Sequence, residues 1–411
     1  MSEPFELTLT AMAHGGAALG RHDGRVIFVP YTLPGETIRA RIVDDRRSYA
    51  FAELVEVLEP SPDRVDAPCP HFGPGLCGGC QWQHITYARQ LEAKRNVVLD
   101  QLQRIGGFAD PLVHSTLPSP DHWRYRHHST FTVRDDGRLG LISDDNRQIT
   151  AIEECHILHP ALQELFARLD RRDELIMRVK FQVGSDPHDR MLILETADDQ
   201  IPGISVDEPV SINLLLSDNE PVNLIGSPQV TYQIHDRTFQ VTAGGFFQVN
   251  LPVAHLLVDL VLDRLDLQGG EGVLDLYSGV GLFTAFIARQ ADYVISVESY
   301  PPAVTDAEVN LSDLDNVDLV EGPVEVVLED LEGSIDAVVL DPPRAGLDVA
   351  VIDELARLVA PLVVYVSCDP ASLARDLKRL VNQGYQLVDV QPVDMFPQTY
   401  HIEAVATLRL E

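Results

Sequence analysis

From residue 5 to residue 59, short apolar runs alternate with polar positions and glycine turns. "ELTLT", "RVIFVPY", "TIRARIV" and "FAELVEVL" carry the alternation of half-buried strands, broken at Gly15-Gly16, Asp23-Gly24 and Pro34-Gly35. Short strands closed by glycine turns at this spacing predict a small β-barrel over residues 1–59. "SPDRVDAP" follows as a linker. Residues 84–106 change period: Ile85, Leu91, Val98, Leu102 and Ile105 recur at helical spacing, and the pattern stops at Gly106-Gly107. Between about 110 and 245 the chain is strand-rich, most clearly in "HSTFTVRDDGRLGLIS", "IMRVKFQVG" and "RMLILETA". From about 246, the runs "GVLDLYSG", "YVISVES", "IDAVVLDPP" and "PLVVYVSCD" alternate with helical or loop text. That pattern predicts an α/β fold, a doubly wound sheet with parallel central strands. The predicted domains are 1–59, 60–245 and 246–411, with helix 84–106 a candidate to pack on the last.

Composition narrows the class. The chain has 411 residues, 45% hydrophobic and 23% charged, the profile of a globular protein with length for two or three domains. No apolar run approaches the roughly 18–20 residues that span a bilayer. The start "MSEPFELTLT" lacks the basic end and apolar core of a secretory signal. The expectation is a soluble, cytoplasmic, monomeric protein without a membrane partner. Thirty-one basic against 63 acidic residues give a net charge of −32, and Lys94, Lys180 and Lys378 are the only lysines. Such a surface disfavours nonspecific adhesion to nucleic acid, yet leaves room for one basic groove. Five cysteines at irregular spacing form no disulfide framework, which favours metal binding or catalysis for any cluster among them.

The strand ends carry the first chemistry. In "VLDLYSGVGLFTAFIA" an apolar strand runs into Gly279 and Gly281 and then a helix, letting the backbone turn tightly toward a ligand. Thr284 stands where a dinucleotide fingerprint has its third glycine. The next strand ends in Glu298, placed to accept hydrogen bonds from ribose hydroxyls, and a third ends in "LDPPR" with Asp341 at the carboxyl edge. Each acid alone would more often be a solvated loop residue. The combination resembles the class I S-adenosylmethionine methyltransferases.

"VYVSCDPASLARDL" adds Cys368 at the end of a core strand. A free cysteine there is commonly a small buried hydrophobe. Beside a methyl donor it has another use. Pyrimidine C5 is too poor a nucleophile to attack a sulfonium methyl, and a thiolate adding to C6 makes C5 enolate-like. A base must then remove the C5 proton, and Glu403 in "YHIEAVATLRL" is the candidate, against a plain reading as a solvated strand-end acid.

"VSCDPASLARDL", "DMFPQTYHIEAVATL", "GGFFQVN" and "LDPPRAGL" together resemble the RNA uracil-5 methyltransferase family, and the likeness covers essentially the whole chain. The resemblance implies 5-methyluridine formation in tRNA or rRNA, with S-adenosylmethionine as methyl donor. It implies a TRAM domain, an OB-like RNA-binding barrel, over residues 1–59. It places the nucleophile on Cys368, the base on Glu403 and cofactor contacts on Gln248, Tyr277, Glu298 and Asp341. Asp369 stands where some members have Asn, and Ser278 and Leu282 fill turn positions that are often Cys and Asn. A redox-sensing RNA-binding protein with a vestigial site, or cytosine C5 methylation, are the alternatives. The presence of both Cys368 and Glu403 argues against the first, and the family motifs do not favour the second.

"CPHFGPGLCGGCQWQH" supplies Cys69, Cys77 and Cys80, and Cys155 in "IEECHIL" is a possible fourth ligand. C-x-x-C with two intervening glycines lets thiolates converge on one metal centre. Donor chemistry alone suits zinc and an iron–sulfur cluster equally. The family resemblance implies a [4Fe–4S] cluster, although the seven-residue first spacer exceeds the usual five. Finally, "DHWRYRHHSTFTVRDDGR" interleaves Arg124, Arg126, Arg134 and Arg138 with Trp123, Tyr125 and Phe131. This is either an RNA face that stacks bases and holds phosphates, with Arg126 its leading residue, or a solvated strand edge packed by aromatics.

Overall fold

The computed structural model describes residues 3–168, 175–203 and 209–410. Among these, β1 (Phe5–Met12), β2 (Ala18–His22), β3 (Arg25–Val29), β4 (Thr37–Asp45) and β5 (Tyr49–Glu59) close a barrel in the order β1-β2-β3-β5-β4. Leu7, Leu9, Ile27, Val29 and Ile38 fill it. The alternation pattern does not predict β2, which is short and interrupted by Gly20. A Cβ at Gly20 would stand 2.4 Å from the Thr8 carbonyl oxygen, so the close approach of β1 requires glycine there.

Helix α1 (Tyr87–Gln101) continues through one π-helical turn to Gly106 and stops at Gly107, whose φ is 78°. Its Val97 and Val98, with Leu102, join the core beneath the C-terminal sheet. The central sheet contains β6 (His128–Val133), β7 (Leu139–Ile142), β8 (Ile149–Ala151), β9 (Ile176–Val183), β10 (Arg190–Thr196), β11 (Ser211–Leu215) and β12 (Pro221–Ile225), ordered β12-β11-β10-β9-β6-β7-β8. Helix α2 (Pro160–Arg168) covers it through Phe166, which packs on Phe131 and Phe181. The hairpin β13 (Gln229–Ile234) and β14 (Arg237–Thr242) shares its core with α3 (Leu251–Leu265), through Tyr232 and Phe239. It therefore packs with the C-terminal domain, although it precedes the change of pattern near 246.

The C-terminal domain alternates β15 (Gly272–Leu276), α4 (Thr284–Ile287), β16 (Tyr293–Glu298), α5 (Pro301–Asn310), β17 (Val317–Glu321), α6 (Val324–Asp330), β18 (Ala337–Leu340), α7 (Val349–Leu358), β19 (Leu362–Ser367) and α8 (Pro370–Asn382). It ends in β20 (Tyr385–Val393) and β21 (Glu403–Leu410). The sheet order is β17-β16-β15-β18-β19-β21-β20, with β17 to β19 parallel and the last two strands antiparallel. The winding reverses between β15 and β18, the position where open α/β sheets bind ligands beyond their carboxyl ends. Apolar clusters cover both faces, as a doubly wound sheet requires. Among the described residues no helix is long and apolar enough to cross a membrane.

Candidate active site

Strand register assembles the site. Leu276 pairs with Val297 on one side and Leu340 on the other, so the following residues, Tyr277, Glu298 and Asp341, form a row at the carboxyl edge. Beyond β18, Ser367 pairs with Ala404 in an antiparallel ladder, and one step further brings Cys368 opposite Glu403. Five of the candidate residues thus come from five neighbouring strand ends.

The glycine turn behaves as its sequence predicts. Tyr277, Gly279 and Gly281 have φ of 63°, 56° and 85°, in the left-handed region. A Cβ on Gly281 would meet Leu311 at 2.8 Å, whereas one on Gly279 would meet nothing within 4 Å, so the backbone at Gly279 faces open space. The Gly279 N–H donates to Glu298 Oε2 at 2.9 Å, and Ser299 and Tyr300 donate to Oε1 at 2.7 and 2.8 Å. These bonds fix the Glu298 carboxylate, and Oε2, with one donor, keeps a lone pair for a ligand hydroxyl. Gln248, just after the hairpin, is buried.

Asp275, which motif reading overlooked, lies within "VLDLYSG" and is fully buried. Thr284 donates to its Oδ2 at 2.5 Å, and its Oδ1 is buried without a hydrogen-bond partner. Burial pushes Asp275 up to about 7. Asp341 also rises to about 7, through burial and then the charge of Asp275. Glu403 is held well above the usual carboxylate range by burial and by Asp341, with Arg344 opposing. Buried carboxyl groups so arranged resist joint ionisation and favour a cationic ligand. An orphaned carboxylate oxygen, a fixed hydroxyl acceptor and an open glycine turn fit S-adenosylmethionine, which carries an ammonium, a ribose and a sulfonium.

Cys368 is half-buried, and its thiol is pushed up to about 11 by burial and by Glu403, while Arg344 opposes through charge and a hydrogen bond. Arg344 also donates to His401 Nδ1 at 3.2 Å. Burial first, then cations including Arg344 and Lys94, lowers His401 to about 4, so the ring is neutral at neutral pH, and its accepting Nδ1 assigns the proton to Nε2. Arg344 and His401 sit inside motifs visible in the sequence, "LDPPRAGL" and "YHIEAVATL", but only the fold brings Arg344 to Cys368 and His401 to Arg344.

The comparisons with known proteins agree with this geometry. Residues 228–410 match the sequence model of the tRNA (Uracil-5-)-methyltransferases, and residues 3–55 match that of the TRAM domain. An uncharacterised RNA methyltransferase of Streptomyces coelicolor is 38% identical, over 99% of this chain and 93% of the relative. One of Halalkalibacterium halodurans is 36% identical over 100% and 98%. The chain belongs to the RNA uracil-5 methyltransferase family. Among solved structures, a Pyrococcus abyssi tRNA (uracil-54, C5)-methyltransferase in complex with S-adenosyl-L-homocysteine superimposes with a TM-score of 0.76. It is 26% identical, over 98% of this chain and 100% of that one. The chain is accordingly an RNA methyltransferase that uses S-adenosylmethionine, with an N-terminal TRAM barrel.

The methyltransferase places Cys155 at the same cavity as the three cysteines of the 69–80 segment. Cys69, Cys77, Cys80 and Cys155 line one cavity of about 410 Å³, with Arg126, His128 and Lys180 in its wall. Burial raises all four thiols, Cys77 to about 12. Among the described residues, no three His, Cys, Asp or Glu side chains already stand at metal-binding separation. The donor set fits a four-thiolate centre in type, with glycines at 78 and 79 in the loop between two of the thiols.

The arginine–aromatic segment resolves mostly as packing. Tyr125 and Phe131 are core residues, and the Tyr125 hydroxyl donates to the Pro397 carbonyl at 3.0 Å. Arg134 and Arg138 pair with Asp136. Arg126, expected on an RNA face, donates through Nε to the His128 carbonyl and lines the cysteine cavity. Arg124 is exposed and Trp123 half-buried.

Proposed function

We propose that this enzyme methylates C5 of a uridine in structured RNA through a covalent Cys368–C6 adduct. The observation that carries the reading is the register that sets Cys368 opposite Glu403 at the sheet edge holding Asp341. Cys368 Sγ attacks C6, and the C5=C6 π pair moves onto C5 as an enolate. S-adenosylmethionine supplies an electrophilic methyl on its sulfonium. Glu403, as carboxylate, takes the C5 proton; the C–H pair restores the double bond and Sγ leaves as thiolate. Arg344, coupled to both Cys368 and Glu403, favours the anionic form of each. Asp275, Glu298 and Asp341, with Gln248, Tyr277, Gly279 and Gly281, would hold the methyl donor. A target uridine within a helix would have to leave its stack to reach Cys368.

Cys69, Cys77, Cys80 and Cys155 would hold a [4Fe–4S] cluster, whose chemistry is a redox-active cross-link of the loop before α1 to the segment after β8. Nucleoside mass spectrometry of separated tRNA and rRNA, from cells with and without the gene, tests the function and identifies the substrate. Loss of 5-methyluridine from one fraction is expected, and unchanged 5-methyluridine in both would refute it. In vitro, Cys368→Ala should abolish methylation, whereas Glu403→Gln should accumulate a protein–RNA adduct resistant to denaturing gels. Methylation by Cys368→Ala would remove the nucleophile assignment.

A further inference from the structure

The turn between β1 and β2 of the barrel reaches the catalytic edge. It is closed by the Ala13 N–H donating to the Ala17 carbonyl (2.8 Å) and the Gly16 N–H to the Ala13 carbonyl (3.1 Å), with Gly15 and Gly16 at φ of 95° and 91°. A Cβ on Gly16 would lie 2.9–3.1 Å from Tyr400, so the turn presses its bare backbone on the residue preceding His401. The buried Trp82 indole donates to the Gly16 carbonyl at 2.9 Å, and the Trp82 N–H to the Gln398 carbonyl at 3.0 Å. Turn and loop are thus seated on the same residue.

From this seated turn His14 extends to Asp369, with Nε2 3.3 Å from Oδ2. Asp369 follows Cys368 and caps α8: its Oδ1 accepts the Ala371 and Ser372 N–H groups at 3.0 and 2.8 Å. Its own N–H donates to Ser367 Oγ at 3.3 Å. The two carboxylate oxygens are divided, one holding the helix and one held by the barrel. The pair is about one-third exposed, so its contribution to stability is small. Its contribution to geometry is different, because His14 on Oδ2 and the helix cap on Oδ1 together fix the carboxylate plane of the residue joined directly to Cys368.

We propose that His14 is a positioning residue of the methyltransferase: acting through Asp369, it makes the seating of the TRAM barrel a condition for the reactive placement of Cys368. The inference rests on the assignment of Cys368 as nucleophile. It gives the barrel a part in turnover in addition to RNA capture.

A double-mutant cycle on the full-length enzyme tests it, using His14→Ala, Asp369→Asn and the pair. Asn retains the cap but not the charge. His14→Ala should lower kcat roughly five- to tenfold, the scale of coupling between residues in contact, and leave KM for RNA within about twofold. His14→Gln, which can still donate to Asp369, should restore most of the rate. In the Asp369→Asn background, His14→Ala should change kcat less than about twofold. Alkylation of Cys368 by iodoacetamide without RNA, followed by peptide mass spectrometry, should show the same pattern. An equal loss in both backgrounds, or a loss confined to KM for RNA, overturns the proposal. Methylation by Cys368→Ala would instead overturn the nucleophile assignment, and the alkylation cycle, which needs no turnover, would still decide whether His14 positions the thiol.

Discussion

Lys94 in α1 and Asp394 in the loop before β21 form a fully buried ion pair, Nζ to Oδ1 2.6 Å, across 300 residues of sequence. Lys94 also donates to the Phe396 carbonyl at 3.0 Å and lies 5.8 Å from the centre of the Trp82 ring. One helical turn earlier, Gln90 exchanges two 3.0 Å hydrogen bonds with Gln398. Together they pin the loop that delivers His401 and Glu403. Lys94→Met keeps the apolar stem but strips a buried carboxylate of its cation. Breaking a buried pair from one side costs about 3–5 kcal/mol, while replacing both partners is often neutral. For a domain of this size that is a fall of roughly 6–20 °C in melting temperature. The unfolding transition can be followed by Trp82 fluorescence in a Trp123→Phe background. Lys94→Met should show the full loss, and Lys94→Met/Asp394→Leu should recover most of it. Below its melting temperature the single variant should also turn over slowly. A loss under about 1 kcal/mol, or a double variant no better than the single, would refute the idea that this pair anchors the loop.

The Cys368 thiol, at about 11, should alkylate about tenfold faster for each pH unit up to that value, since only the thiolate reacts. Arg344→Gln removes the opposing cation, so its midpoint should move upward and its rate at pH 8 fall; an unchanged or faster rate would show that Arg344 does not support the thiolate. Anaerobic reconstitution with iron and sulfide should give about four Fe per chain and visible charge-transfer absorbance. Cys77→Ser or Cys80→Ser should lose both. Retention in both variants would exclude these thiols as ligands, and binding of a single zinc instead would exclude the cluster.

Much of the candidate site's position was legible in the sequence because it is built from strand ends, where short apolar runs terminate in residues of distinctive chemistry. Tyr277, Gly279, Gly281, Glu298 and Asp341 each follow a strand that its own composition announces, and parallel pairing does the rest. The barrel was legible for a similar reason, with alternation and glycine turns marking four of its strands. β2, β17 and β20 were not, because they are short, glycine-interrupted or of mixed polarity, and are held by neighbours rather than by their own pattern.

Residues 121–138 show where pattern alone does not decide. Arginine beside aromatic residues describes an RNA face and a packed strand equally well, and only burial separates them: Tyr125 and Phe131 lie in the core. Asp275, Arg344 and His401 carry no signal of their own either. What singles them out is an orphaned oxygen, an arginine coupled to Cys368 and Glu403 and a ring kept neutral by burial and neighbouring cations. The sequence by itself determined which residue types stand at the strand ends, since a strand-end cysteine, a strand-start glutamate and a glycine turn are local features. Tertiary structure alone decided which groups meet. Lys94 with Asp394, His14 with Asp369, and Cys155 with the cavity of the three earlier cysteines are joined by folding across long stretches of chain, and no local pattern encodes a partner that far away.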